Sequence, residues 1–397
     1  MDGAYTSWRD LKGKVLQGTC GWTDPSILQC GKFYPPWVKT SEDRLAHYST
    51  VFPCVECDTS SWAIPSPVKV KNWTKKVPNK FIFHFKAYTF FTWKFAATNT
   101  IPRVIRAELS EQLLKKENIS WDDLPPASLQ KLWEIYNACV RPAYDAGKLG
   151  VIIFQFHLHF NPTEENRRHV LVCRRFLDSK YRMAVEFRCR KWLGEGELER
   201  TVSWLRHNDI GLVCVDELEH ELFSLPTPEK ASNVSVMPIV HALGSTKFCY
   251  VRVHRRAGKQ RLLTSENIIS WADRLTSEQF QSCVEGPVFF MWGTAHEDQP
   301  VINSKNLATQ LGSYSYDWKR IASKAGAIMK FCVSQATTES KDTKEIEILS
   351  GPTVHSKQTP PKVPKLEARS DVCQKTSGKT PPKSKKKTLH DFFSKSS

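Results

Sequence analysis

Near the ends of apolar runs, this chain places polar groups two residues apart: Glu56/Asp58, His84/Lys86, Gln155/His157, Glu186/Arg188 and Arg252/His254. Asp216 ends a sixth run, with Glu217 beside it. Residues two apart on a strand point to the same side, so each pair would aim both of its groups at one place. A buried charge without a partner costs several kcal/mol in effect, roughly. Six runs that all end in such groups are therefore hard to explain as packing. The chemistry on offer is broad. Glu186 and Asp216 could act as acid and base or as ligands of a divalent metal, and His254 is the natural proton carrier near neutral pH. Lys86, Arg188 and Arg252 suit a phosphate or carboxylate on a substrate. Glu56, Asp58, His84, Gln155 and Trp22 complete a candidate substrate-binding set. Single pairs have plainer explanations: Glu56 could pair with Lys86, and His157, close to His159, could belong to a loop. No G-x-S-x-G or active-site cysteine context surrounds Cys20 or Cys57, so no nucleophile is signalled.

Those groups need elements to hold them. Eight short apolar, β-branched or aromatic runs recur: 15–20 (VLQGTC), 54–59 (CVECDT), 81–86 (FIFHFK), 151–156 (VIIFQF), 183–188 (MAVEFR), 211–216 (GLVCVD), 248–254 (FCYVRVH) and 288–292 (VFFMW). Near-continuous hydrophobicity suits parallel strands covered on both faces. Helical spacers lie between them, at 41–50, 166–177 and 197–207, and another helix, 302–311, follows the eighth run. Strand and helix alternating eight times predict an α/β protein, a TIM-like (β/α)8 barrel whose strand ends converge on one opening. An open doubly wound sheet is the alternative, but no G-x-G-x-x-G follows the first run. One spacer, 87–148, is too long. As an insertion after the third strand it is a candidate lid.

The 397 residues, 40% hydrophobic, suffice for one barrel with insertions. No stretch of about 18 apolar residues predicts a membrane span, and the first residues lack the apolar run of a signal peptide. The twelve cysteines sit mainly in or beside apolar runs, where a free thiol packs as a small hydrophobe. Cys54 and Cys57 have a zinc-like spacing but no second pair, and a strand would point their thiols apart. Residues 351–397 hold 11 Lys/Arg against 3 Asp/Glu, so half of the formal net charge of +16 lies in that segment. Such a segment is drawn to polyanions, DNA among them, or serves as a solvated linker.

Taken together, several segments resemble the YecE-like family, also called DUF72: GTCGW (18–22), FYPPW (33–37), the stretch 45–66, FIFHFKAY (81–88), VIIFQF, AVEFRCRKW (184–192), VCVDE, YVRVHRRAG (250–258) and 290–307. The resemblance covers roughly residues 15–315 and implies a TIM-like barrel. It assigns no activity. The barrel is similar to that of the endonuclease IV and xylose isomerase group, which implies DNA or sugar-phosphate chemistry by analogy of fold alone. The chain departs from the family pattern at Asp58, at His157 and at Trp292-Gly293.

Past about residue 334 the apolar periodicity stops, and six prolines among many Ser, Thr and Lys in 351–397 predict a disordered tail, 334–397, behind a barrel domain, 1–333. Near its end Lys386, Leu389, Phe392 and Phe393 resemble the PCNA-interacting peptide, or PIP box, with Lys386 where Gln is usual. A single 3₁₀-type turn would gather Leu389, Phe392 and Phe393 into one apolar plug. The basic stretch 381–387 resembles a nuclear import signal. The expectation is a nuclear protein without a membrane span, with a phosphate-handling barrel recruited to DNA through the PCNA sliding clamp. The alternatives are an enzyme of a small sugar-phosphate or nucleotide, and a barrel that binds a ligand without catalysis.

Overall fold

Strands apolar on both faces must be covered on both, and this chain does so by closing the sheet on itself and wrapping it in helices. The computed structural model describes residues 8–216, 247–254, 261–293 and 296–323. Its eight barrel strands are β1 (Val15–Thr19), β2 (Cys54–Cys57), β3 (Ile82–Lys86), β4 (Leu149–Phe156), β5 (Arg182–Phe187), β6 (Ile210–Asp216), β7 (Cys249–Val253) and β8 (Val288–Trp292). All are parallel, and they run around the barrel in sequence order. Pairing of Val15 with Val288 through Thr19 with Trp292 closes the ring between β1 and β8. The α/β barrel expected from the eight runs is the fold observed.

Alternation along each strand sorts side chains into two layers. On β7, Cys249, Val251 and Val253 face outward. They share one buried cluster with Ile268, Trp271 and Leu275 of helix Ser265–Thr276 and with Leu307 and Leu311 of helix Gln299–Leu311. Tyr250 and Arg252, the residues between, face the barrel interior. Threonine and serine start the surrounding helices: Thr40, Ser66, Thr163 and Thr264 each accept a backbone N–H of the following first turn. At the N-terminal end of the barrel, Trp8 lies edge-on to Phe289 at 5.0 Å, with the Arg182 guanidinium 3.6 Å over its ring.

The third connection is less of an insertion than its length implies. Its last part, Pro126–Asp145, is the crossover helix that any parallel pair needs, packed on helix Pro67–Lys75. The excess is about residues 89–125: short helices and a small antiparallel sheet of Phe95–Ala97 with Asn118–Ser120. It is tied to the helix layer, where His169 Nε2 meets the Phe91 carbonyl at 2.8 Å and Phe91 stacks on Trp133. Among the described residues no helix is long and apolar enough to cross a membrane. Glu217 and the expected tail, with Lys386, Leu389, Phe392 and Phe393, lie outside the described residues.

One irregularity bears on the interior. The β3–β4 register shifts between Phe83 and Phe85, and there the buried His84 ring accepts the Val151 backbone N–H at 3.0 Å. A Cβ at Gly150 would run into that imidazole. Gly150→Ala should therefore cost about 1–3 kcal/mol through forced displacement of His84 or the strand. Urea unfolding measures it, and an alanine variant as stable as the parent would show that the site has room.

Candidate functional site

Inward positions at the C-terminal ends of the strands bring the site together. Glu56 on β2, Glu186 on β5 and Arg252 on β7 are all essentially buried. The Arg252 Nη2 donates to Glu56 Oε1 at 2.9 Å, and its Nη1 donates to Glu186 Oε2. One guanidinium thus joins two carboxylates that come from strands other than its neighbours. Tyr250, two residues below Arg252, donates its hydroxyl to Glu56 Oε2 at 2.9 Å. Gln155 on β4 donates to Glu186 Oε1, and so does Arg188, at 3.1 Å. Cys20, just past β1, lies 3.5 Å by its sulfur from Arg252 Nη2. Toward the mouth, Lys86 and Asp58 form an ion pair at 2.9 Å, with Asp58 about a third exposed.

His254, just past β7, completes this layer. Its backbone N–H donates to the Asp216 carbonyl, and its ring lies so close to Gly293 that a Cβ there would collide with it. The absence of a side chain at Gly293 is thus what admits the imidazole. His84, expected among the substrate-binding residues, sits one layer deeper. It is edge-on to Tyr250 at 5.0 Å and to Phe289 at 4.3 Å. Burial pushes its pKa down to about 3, so it is a neutral packing group under Tyr250.

Two expected residues are placed away from this cluster. Asp216 has the parity of Cys214, which faces the helices, and its carboxylate accepts from Trp271 Nε1 at 2.7 Å. It ties β6 to helix Ser265–Thr276. Trp22 is buried edge-on against Trp73 and donates to the Ser41 carbonyl, so it fixes the β1 loop to the helix layer. Tyr250 and Cys20 were not among the expected site residues. Tyr250 shares the parity of Arg252, and that alternation is the signal that could have found it.

The two central carboxyls are driven in opposite directions. Burial would raise the Glu186 pKa, but Arg252, then Arg188, His254 and the Gln155 hydrogen bond overturn that and hold it well below the usual range. For Glu56 burial prevails, helped by the negative Asp58 and Glu186 against Arg252 and Lys86, and its pKa is raised. Burial would also raise Asp58, but Lys86 and then Arg252 hold it low. The two buried glutamates are therefore shifted in opposite senses, Glu186 toward the carboxylate and Glu56 away from it. The Arg252 Nε–H, buried like the rest of its side chain, has no hydrogen-bond partner among the described residues. Among the same residues, no three or more His, Cys, Asp or Glu side chains are placed to hold a metal ion.

The sequence profile of the family "Protein of unknown function DUF72" matches residues 16–325, and the chain belongs to that family. It is 28% identical over 221 residues to the UPF0759 protein YunF of Bacillus subtilis (strain 168), covering 55% of this chain and 66% of YunF, just under two thirds of that protein. A crystal structure of a DUF72 family protein from Enterococcus faecalis V583 is similar with a TM-score of 0.57 and 19% identity, over 76% of this chain and 97% of that one. Another, from Thermotoga maritima MSB8, has a TM-score of 0.54 and 21% identity, over 75% of this chain and 99% of that one. These two likenesses show the barrel.

Glu186→Gln removes the ionised partner of a buried guanidinium and should destabilise the protein at neutral pH by about 3–5 kcal/mol. Because the folded-state pKa of Glu186 is depressed, its contribution is complete above the usual 4.5 and is lost as pH falls below it. Urea unfolding should show the gap between parent and variant narrowing toward about pH 3. Glu56→Gln should cost less at neutral pH, because Glu56 is shifted the other way. A Glu186→Gln variant of undiminished stability, or a gap constant with pH, would contradict the ionised assignment.

Proposed function

We propose that this DUF72 barrel is an acid–base enzyme that takes a phosphate-bearing ligand, nucleotide or nucleic acid, at the mouth of its barrel. We further propose that its C-terminal segment attaches it to the PCNA sliding clamp in the nucleus. The observation that carries the site is the buried Arg252, clamped between Glu56 and Glu186 with its Nε–H unspent. An unpaired buried N–H is costly, and a ligand oxygen would satisfy it. Replacing an ion pair like this by apolar side chains is often neutral or stabilising, so its presence in the middle of a barrel points to use rather than to stability.

The roles divide by charge. Glu56, inclined to stay protonated, is the group able to give a proton to a leaving or bridging oxygen. Glu186 stays a carboxylate and holds Arg252 and Arg188 in place. His254, near enough to depress the Glu186 pKa, can relay a proton. Arg188 and Lys86 lie toward the mouth, where a phosphate would meet them first. The net charge of +16 supports an anionic partner, DNA among them. Support for the clamp is the order Lys386, Leu389, Phe392, Phe393 behind a basic run.

Isothermal titration of the full chain with nucleoside monophosphates, sugar phosphates and short DNA should show binding of at least one, weakened about tenfold or more by Arg188→Ala. If none binds, or if the variant binds as tightly, the phosphate-handling mouth is wrong. Titration of the full chain against purified PCNA should give roughly micromolar binding. The double substitution Phe392→Ala/Phe393→Ala should abolish it. A variant that still binds normally would remove the clamp from the proposal.

A further inference from the structure

Trp37, Trp62 and Phe95 are 76%, 49% and 39% exposed, and they are the only Phe, Tyr or Trp side chains more than about a third exposed among the described residues. All three lie on segments that follow the C-terminal ends of strands, after β1, β2 and β3 respectively. These strands are adjacent in the barrel, so the three rings occupy one sector of the mouth side. Two of the segments are fixed to the strand ends. Ser60 Oγ, two residues before Trp62, bonds the Lys86 carbonyl at 2.6 Å. Phe95 is backed edge-on by Trp93 at 5.8 Å, and Trp93 in turn lies edge-on to His157 just past β4. Elsewhere the large aromatics are packed away, as Trp133 and Trp192 are in the helix layer.

The sector across the barrel is different in kind. There Arg188 lies just past the end of β5, followed by the exposed Arg190 and Lys191. Aromatic rings on one side and cations on the other match a ligand with flat apolar faces along one edge and phosphates along the other. A duplex buries its base faces, so only an unpaired strand can offer them to these rings. An oligosaccharide also stacks on tryptophan, but it has no anion for the Arg188 side.

We propose that this rim binds single-stranded nucleic acid, stacking bases on Trp37, Trp62 and Phe95 and facing phosphates to Arg188, Arg190 and Lys191. The ligand reaching Glu56 is then an unpaired strand or strand end. The proposal rests on the phosphate-handling mouth described above and narrows its substrate class.

Fluorescence anisotropy of the full chain with a labelled thymidine oligonucleotide and with a blunt duplex of equal length tests it. The single strand should bind more tightly. The triple variant Trp37→Ala/Trp62→Ala/Phe95→Ala should lose at least about tenfold of single-strand affinity while its duplex affinity stays unchanged. Trp62→Phe, which keeps a stacking face, should retain most of the binding. All three side chains are exposed, and an unaltered thermal transition would show that the variant is folded. Equal affinity for single strand and duplex, a triple variant that binds as the parent does, or displacement of the strand by a neutral oligosaccharide would overturn the inference. If no DNA binds but a mononucleotide or sugar phosphate does so through Arg188, the inference falls and the phosphate-handling mouth stands. If no phosphate compound binds, both fall.

Discussion

A guanidinium in the dry interior of a barrel has lost its water on every side, and here that water is replaced by carboxylates. Arg252 reaches Glu56 on one side and Glu186 on the other, and each of those acids is met by further donors from Tyr250, Gln155 and Arg188. None of these groups is tolerable there alone. Together with the Lys86–Asp58 pair they form a set in which every buried cation has an acid as partner. The geometry of the mouth follows from that pairing, since moving any one strand end would uncover a charge on another.

The same network separates two chemically identical side chains. Glu186 is surrounded by cations and a donated amide hydrogen, which hold its pKa well below the usual range against the effect of burial. Glu56 shares Arg252 but feels Asp58 and Glu186 as well, and burial decides its state. Position within one cluster, rather than residue type, shifts the pKa of one acid down and that of the other up.

Much of the scaffold was legible because its signals are local. The eight runs have the right length and composition for buried parallel strands, and Glu186 and Arg252, each one member of a two-residue pair, meet inside the barrel. What failed was facing and pairing. The run 211–216 is apolar almost throughout, so nothing in it shows which side is inward. The face of Asp216 is settled by Trp271, 55 residues away. Nor does the sequence show the partners of Arg252, two of whose nitrogens meet acids 196 and 66 residues distant in the chain. Trp22 joins the candidate binding set in the sequence because its contact with Trp73 is invisible there. The third connection looked like an insertion because its crossover helix, Pro126–Asp145, comes at the far end of a long loop.

The long reach of Arg252 has a consequence for how the molecule is made. During synthesis Glu56 and Glu186 leave the ribosome well before their common counter-charge, and β8, which seals the ring onto β1, comes later still. Until Arg252 arrives, the interior end of β2 carries an acid that has no reason to leave water, so an early closed form of the first strands is disfavoured. The contacts that build the site are among the most non-local in the chain, and such contacts form late and slowly. Assembly of the mouth and completion of the fold are therefore one event, and a nascent or truncated chain cannot bring Glu56, Glu186 and Arg252 together before the whole barrel has formed.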